Sequence, residues 1–360
     1  MAYTTIDNPE LYFQTKLYSG NGSNGHAITF DGSENMSPDW VWIKSRSSNS
    51  HRLTDSVRGA TKVLYSDLTF AEATDADTIQ SFDTNGFTID DDAATNGSGQ
   101  KFASWNWKAG GSASSNGNGS ITSTVSANTT AGFSIVSWTG SGASATIGHG
   151  LSSAPELVIV KNRTDSSTDW RIGNTVVSGK TMADDNGYYL EFDTGAIANP
   201  GGKTIWGSGP SAPTSTVFSV GSNNSNNGSS DNMIAYCFHS VKGYSKIGSY
   251  IPDGGGSDNT FIYTGFRPSW IISKGSSFAS AWTMTDSKRS TFNVVNSQLF
   301  ANSTGAEDTS STNLMCDYLS NGFKIRSNNA AMGSSGNTYI FMAFAESPFV
   351  NSKGVPTNAR

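Results

Sequence analysis

One seven-residue motif constrains this chain more than anything else in it, because it occurs three times. Pro38-Asp-Trp-Val-Trp-Ile-Lys44 returns as Pro155-Glu-Leu-Val-Ile-Val-Lys161 and as Pro268-Ser-Trp-Ile-Ile-Ser-Lys274, at spacings of 117 and 113 residues. A long, nearly constant period means repeated structural units. Other positions keep pace with it. Each copy follows a Gly-rich lead-in: Leu17-Tyr-Ser-Gly-Asn-Gly22, Ser137-Trp-Thr-Gly-Ser-Gly142 and Gly248-Ser-Tyr-Ile-Pro-Asp-Gly254. Each closes on an apolar run: Phe102-Ala-Ser-Trp-Asn-Trp107, Met233-Ile-Ala-Tyr-Cys-Phe238 and Tyr339-Ile-Phe-Met-Ala-Phe344. Leu53-Thr-Asp-Ser-Val-Arg58 matches Met284-Thr-Asp-Ser-Lys-Arg289. The middle copy has Trp170-Arg-Ile-Gly173 near that place and lacks the Asp and the Arg. Asn85-Gly-Phe-Thr-Ile89 matches Asn321-Gly-Phe-Lys-Ile325, with Val217-Phe-Ser-Val220 as the weaker middle version.

These runs are short, β-branched or aromatic, and bounded by Gly, Asn, Asp and Pro, which reads as strands. Trp40-Val-Trp-Ile43 and Trp270-Ile-Ile272 are apolar on both faces, as strands buried between two layers must be. Asn85-Gly86 and Asn321-Gly322 are hairpin-turn signals. No stretch sustains a helical apolar period; Ala71-Glu-Ala73 and Ala306-Glu-Asp308 allow one helical turn at most. Composition agrees: 39 Gly and only 14% charged residues suit many turns, while 9 Trp and 19 Phe supply a core for each repeat. The expectation is an all-β chain of three tandem β-sandwich, jelly-roll-like modules. A propeller is the rival, but its blades are much shorter than these repeats. The boundaries read as an N-terminal docking arm over 1–16, modules over 17–110, 120–243 and 244–350, a flexible linker over 111–119, and a C-terminal tail over 351–360.

Charge excludes some partners. The net charge of −6 comes without any basic run, which argues against nucleic acid. No apolar run is long enough to enter a bilayer as a helix. Met1-Ala-Tyr-Thr-Thr carries neither the basic nor the apolar region of a signal peptide. Cys237 and Cys316 lie in different repeats and read as two reduced thiols of a protein made in a cytosol, the alternative being one inter-repeat disulfide.

Catalytic chemistry is hard to place. His26, His51, His149 and His239 are scattered, the third module has none, and no metal-ligand spacing emerges. Gly148-His-Gly150 reads as a turn. Asp90-Asp-Asp92 and Asp31-Gly-Ser-Glu34 lack calcium-loop spacing and read as solvated turns. The Thr-Asp-Ser-x-Arg element, with Asp55 and Arg58 or Asp286 and Arg289, suits either a carboxylate or sugar ligand, or a structural turn, with the turn favoured. Lys44, Lys161 and Lys274 read as architectural residues at a surface or sheet edge. No catalytic residue, metal ligand or cofactor is assigned, and no ligand-binding residue is singled out.

The set of motifs resembles a family of repeat proteins from marine tailed phages, especially cyanophages. The resemblance rests on Met1-Ala-Tyr-Thr-Thr-Ile6, the Gly-Asn-Gly lead-ins, the Pro-x-Trp-Val-x-Ile-Lys strands, Trp105-Asn-Trp-Lys-Ala-Gly110, Gly117-Asn-Gly-Ser-Ile-Thr-Ser-Thr-Val-Ser126 and Ala343-Phe-Ala-Glu-Ser-Pro-Phe349. It covers nearly the whole chain and implies a non-enzymatic virion protein with lectin-like β-sandwich modules, assembled in the host cytoplasm among other virion proteins. The leading functional reading is a tail-fibre or receptor-binding component whose exposed Trp or Tyr side chains stack on host-surface glycans. The alternative is a capsid decoration or head-fibre protein, and a third reading is a glycan depolymerase. A fibre role would favour a homotrimer, although no coiled-coil heptad supports one.

Overall fold

In a computed structural model, residues 2–207, 212–309 and 316–357 are described; of the C-terminal tail, 358–360 lie outside the described residues, as does Met1. The chain is all-β. Each repeat builds one large sheet around its Pro-x-x-x-x-x-Lys strand. In the first, the order is Phe13–Ser19, Lys101–Trp107, Trp40–Ser45, Arg52–Asp55. In the third it is Ser245–Tyr250, Tyr339–Pro348, Phe266–Gly275, Thr283–Asp286, Leu299–Phe300. The second sheet has the same four-strand centre, Phe133–Thr139, Asn232–Phe238, Leu157–Asn162, Arg171–Asn174, and two more strands at its edge, Ser123–Asn128 and Ser114–Asn116. All pairs between neighbours are antiparallel.

The alternation of side chains explains why the main strands are apolar on both faces. One face meets a smaller outer sheet. Val41, Ile43 and Phe102 pack on Ile28, Ile79, Phe87 and Ile89 in the first module. Val158 and Val160 pack with Ile147, Phe218 and Val220 in the second, and Ile271 with Ile262, Phe323 and Ile325 in the third. The other face does not meet solvent. Trp40, Trp42, Trp105 and Trp107 converge with Leu157, Ile159, Tyr236 and Phe238, and with Trp270, Ile272, Met342 and Phe344, in one axial cluster. Rings meet directly across the modules: Trp40 stacks on Tyr236 at 4.3 Å, and Trp107 meets Trp270 edge to face at 5.5 Å. The apolar pattern therefore records two burials, one within each module and one between all three.

The axial core takes the residues expected to reach outward. All nine Trp are buried, with no more than 4% exposure. The expectation of Trp platforms on loops is corrected: indoles bury the largest apolar area of any side chain; seven of the nine join the axial cluster between the modules, and Trp138 and Trp206 fill the second module's own core.

Three further expectations change. Residues 1–16 are not a free arm. Phe13 opens the first strand, Ile6 is buried in the axial core, Tyr3 donates to the Gly265 carbonyl (2.8 Å), and Asp7 accepts from Ser352 N–H (2.6 Å). Both chain ends thus meet on the third module. Residues 111–119 are not a flexible linker, because Ser114–Asn116 adds a strand to the second sheet despite its small polar composition. Ladder hydrogen bonds use the backbone and do not need apolar side chains. Glu72 and Glu307 lie on irregular backbone outside any helix, and Ala73–Thr74 pairs with Lys62–Val63 as strand. Cys237 and Cys316 are free and buried, not joined.

The shared Asn-Gly pairs are legible in detail. The two hairpins close over Thr84-Asn85 and Ser320-Asn321, so each glycine lies just past its turn. A Cβ on Gly86 would sit 2.0 Å from the Ile28 carbonyl oxygen, and one on Gly322 2.1 Å from that of Ile262. The glycine is there to let the neighbouring outer strand approach.

Candidate functional site

The polar residues that the repeats share assemble at the seams between modules. Lys44, Lys161 and Lys274 are fully buried, which corrects the expectation of surface or edge positions. Each ammonium reaches a loop of another module. Lys44 donates to the Thr304 and Gly305 carbonyls (3.3 and 3.0 Å), Lys161 to Thr69 (2.8 Å), and Lys274 to Gly195 (3.3 Å). The order is cyclic: the third module latches the first, the first the second, the second the third. A second set repeats it. His51 Nε2 lies 3.0 Å from the Phe300 carbonyl, Trp170 Nε1 donates to Tyr65 (2.8 Å), and Trp282 Nε1 donates to Glu191 (2.5 Å). Backbone bonds repeat it once more, from Glu307 N–H to Arg46, Glu72 to Arg163, and Ala198 to Ser276. The modules form a closed ring within one chain.

Burial governs the chemistry of the lysines. Desolvation pulls Lys44 and Lys161 down to about 8 and Lys274 to about 7; Asp67 near Lys44 and Asp193, Asp169 and Asp165 near Lys161 only partly oppose it, and no such carboxylate offsets the shift at Lys274.

The Thr-Asp-Ser-x-Arg element is a seam device as well as a turn. Asp55 Oδ1 accepts from the N–H groups of Val57 (3.0 Å) and Arg58 (2.9 Å), closing the turn. Its other oxygen takes Arg58 Nε (2.5 Å) and the Tyr236 hydroxyl of the second module (2.7 Å). Arg58 also meets Glu72 (3.1 Å), which holds Arg163 of the second module (2.8 Å). Burial alone would depress Arg58, but Asp55, Tyr236 and Glu72 raise it above its usual range. The seam from third to first module repeats the arrangement with Asp286, Arg289, Glu307, Arg46 and Trp105, whose Nε1 donates to Asp286 (3.2 Å).

The remaining seam is neutral at every corresponding position. The strand register places Asn174 where the others have Asp, since Leu157 pairs with Asn174 as Trp40 pairs with Asp55. Asn174 still closes its turn by accepting from Val176 and Val177. Val177 replaces the Arg, Ala198 the Glu, Ser276 the second Arg, and Met342 the donor ring. Five positions change together, as a buried network requires, because removing one member strands the others. The sequence revealed the missing Asp and Arg. It did not reveal the Glu, which lies 14 residues past the Arg in one seam and 18 in the other, whereas the second Arg keeps a fixed place two residues past the motif lysine (Lys44 and Arg46, Lys161 and Arg163), where the neutral seam has Ser276.

The seam of the third and first modules also carries a surface cleft of about 760 Å³. Gln14, Thr15, Arg267, Lys288, Phe292 and Asn293 are among its lining residues, with the Phe292 ring 82% exposed. Among the described residues, no group of three or more His, Cys, Asp or Glu side chains is arranged to hold a metal ion. Asp92 instead caps the Ala93–Asn96 turn and pairs with Arg52 (3.4 Å), and Asp31 pairs with Lys16 (3.3 Å). His149 is buried and accepts from Leu151 N–H.

Compared with known proteins, residues 8–348 match a family described as a domain of unknown function (DUF7483). One family unit therefore spans all three modules. No curated protein matches the chain.

Proposed function

The chain belongs to the DUF7483 family, and from that premise we propose that it is a non-catalytic structural protein of a tailed-phage virion, a single-chain pseudo-trimer seated on the capsid surface. The observation that carries the reading is the closed ring: three modules joined by cyclic latches around a common core of Trp and Phe. Such a body matches the symmetry of a three-fold or quasi-three-fold position without needing three chains. The phage assignment rests on the motif resemblance. Burial of every Trp takes the indoles out of the glycan-stacking argument, so the receptor-binding reading now rests on exposed rings such as Tyr263 and on the cleft beside Phe292 and Lys288.

The test is mass spectrometry and electron cryo-microscopy of gradient-purified virions from the phage that encodes the chain. Density for a three-lobed body on the head is the expected result. Density on the tail would move the assignment to receptor binding, and absence from purified virions would overturn the virion role.

A further inference from the structure

The edge of the second module shows what the third module leaves open. In the second module, Phe133–Thr139 would be the edge of its inner sheet and Ala145–Gly148 the edge of its outer sheet. The chain's own segment fills the gap between them. Thr124 pairs with Ser137 and Val125 with Val136, while Ile121 bridges Ile147 and its N–H donates to the Thr146 carbonyl (3.2 Å). Val125 is buried in that module's core.

The third module has the same two edges, and among the described residues no strand lies between them. Ser245–Tyr250 ends one sheet and Phe261–Tyr263 ends the other. The register fixes the correspondence: Phe133 faces Phe238 as Ser245 faces Phe344, so Gly248 stands for Val136 and Ser249 for Ser137. Ile262 stands for Ile147, since each faces the core Phe of the adjoining strand. A groove of about 600 Å³ runs between the two edges, lined by Gly248, Ser249, Tyr250, Phe261, Tyr263 and Phe341. Its beginning is capped by the chain, because Ser245 N–H goes to Val241 and Ile247 N–H to Ser240. The half beside Gly248–Tyr250 carries no such backbone cap; there Ser249 Oγ donates to the Val176 carbonyl of the second module (2.9 Å), which forms one rim of the groove. The exposed apolar side chains collect there: Ile251 at 57%, Tyr263 at 57% and Phe261 at 42%. The first module closes its own gap with the Lys16–Asp31 pair and the Gln14–Glu34 hydrogen bond.

We propose that this groove is the docking seat for an extended strand of a partner protein, added to the Ser245–Tyr250 edge as Ser123–Asn128 is added to its counterpart. Strand addition is a common mode of recognition at a free sheet edge, and an open edge of this kind is otherwise a liability. The occupant is a strand with alternating small polar and β-branched residues. Its β-branched side chain falls opposite Gly248, beside Phe341, and its outer flank covers Phe261 and Tyr263. The proposal stands apart from the virion assignment, since it rests on the comparison of two modules of one chain.

The experiment uses the full chain and a fluorescent peptide of residues 117–126 (Gly-Asn-Gly-Ser-Ile-Thr-Ser-Thr-Val-Ser), the segment that occupies the equivalent seat. Saturable binding is expected, with slowed hydrogen exchange at 248–250 and 261–263. The double substitution Phe261→Lys with Tyr263→Lys should weaken binding at least tenfold while leaving the circular dichroism unchanged, because both side chains are exposed. A peptide carrying Pro in place of its Val should not bind. Protection elsewhere, no binding, or unaltered binding by the double variant would overturn the proposal. So would a concentration-dependent dimer protecting the same amides, which would make a second copy the occupant.

Discussion

Arg58 offers a sharp test of how the charged seams work, because the protein contains its own neutral control. Arg58 and Asp55 side chains are both fully buried. Replacing Arg58 with Val, the residue at the corresponding position of the neutral seam, removes its bonds to Asp55, Glu72 and the Leu53 carbonyl. Asp55 then keeps only two backbone N–H groups and the Tyr236 hydroxyl, too little for a carboxylate out of water. Stranding one partner of a buried pair costs about 3–5 kcal/mol. The set Asp55→Asn, Arg58→Val, Glu72→Ala and Arg163→Ser makes the four charge-removing changes of the seam around Asn174 and Val177 and keeps Tyr236, whose hydroxyl can still donate to the new Asn side chain. It removes all the charges at once and should fall within about 2 kcal/mol of the parent, since replacing an entire buried ionic group is commonly close to neutral. Members of one network are non-additive in this sense. Urea unfolding followed by Trp fluorescence reads both, as Trp40 stacks on Tyr236 at this seam. A quadruple variant as unstable as Arg58→Val, or more so, would refute the reasoning and show that the charges add net stability.

Three other outcomes follow from the same contacts. Lys274 is held near 7 when folded against 10.5 when free, so between those values the unfolded chain binds more protons and stability rises with pH. The parent should therefore gain on the order of 2 kcal/mol relative to Lys274→Met between pH 7 and 9, measured as urea midpoints; a constant or falling difference would contradict the assignment. Gly86→Ala should destabilise by more than about 1 kcal/mol, because its φ is +116° and its Cβ would strike Ile28, and thermal unfolding checks it. Burial raises both thiols, Cys316 to about 12 and Cys237 further, so neither should react with a thiol reagent until the chain unfolds; rapid native labelling would place them wrongly.

Much of the fold was legible because strands announce themselves locally. The Pro-x-Trp runs, the Asn-Gly pairs and the closing strands all fall where the sequence placed them. The ring was not legible, since an apolar face buried in a sandwich and one buried on an axis have the same composition. Trp40 and Val41 differ in which core they join, not in hydrophobicity. The lysines were misplaced for a related reason. Their partners are main-chain carbonyls such as those of Thr69 and Gly195, which leave no side-chain signature. The Gly/Ser-rich 111–119 segment misled by composition, because a ladder strand draws on the backbone alone.

The fused ring has a geometric consequence. Three identical chains around an axis would offer three identical flanks, and a symmetric pedestal could accept them in any of three rotations. Here one flank alone carries the open groove of the third module, and one seam alone is neutral. The lobes are therefore indexed like the teeth of a keyed coupling. A neighbour that reads the groove selects a single rotational setting, and turns a three-fold position into a directional one.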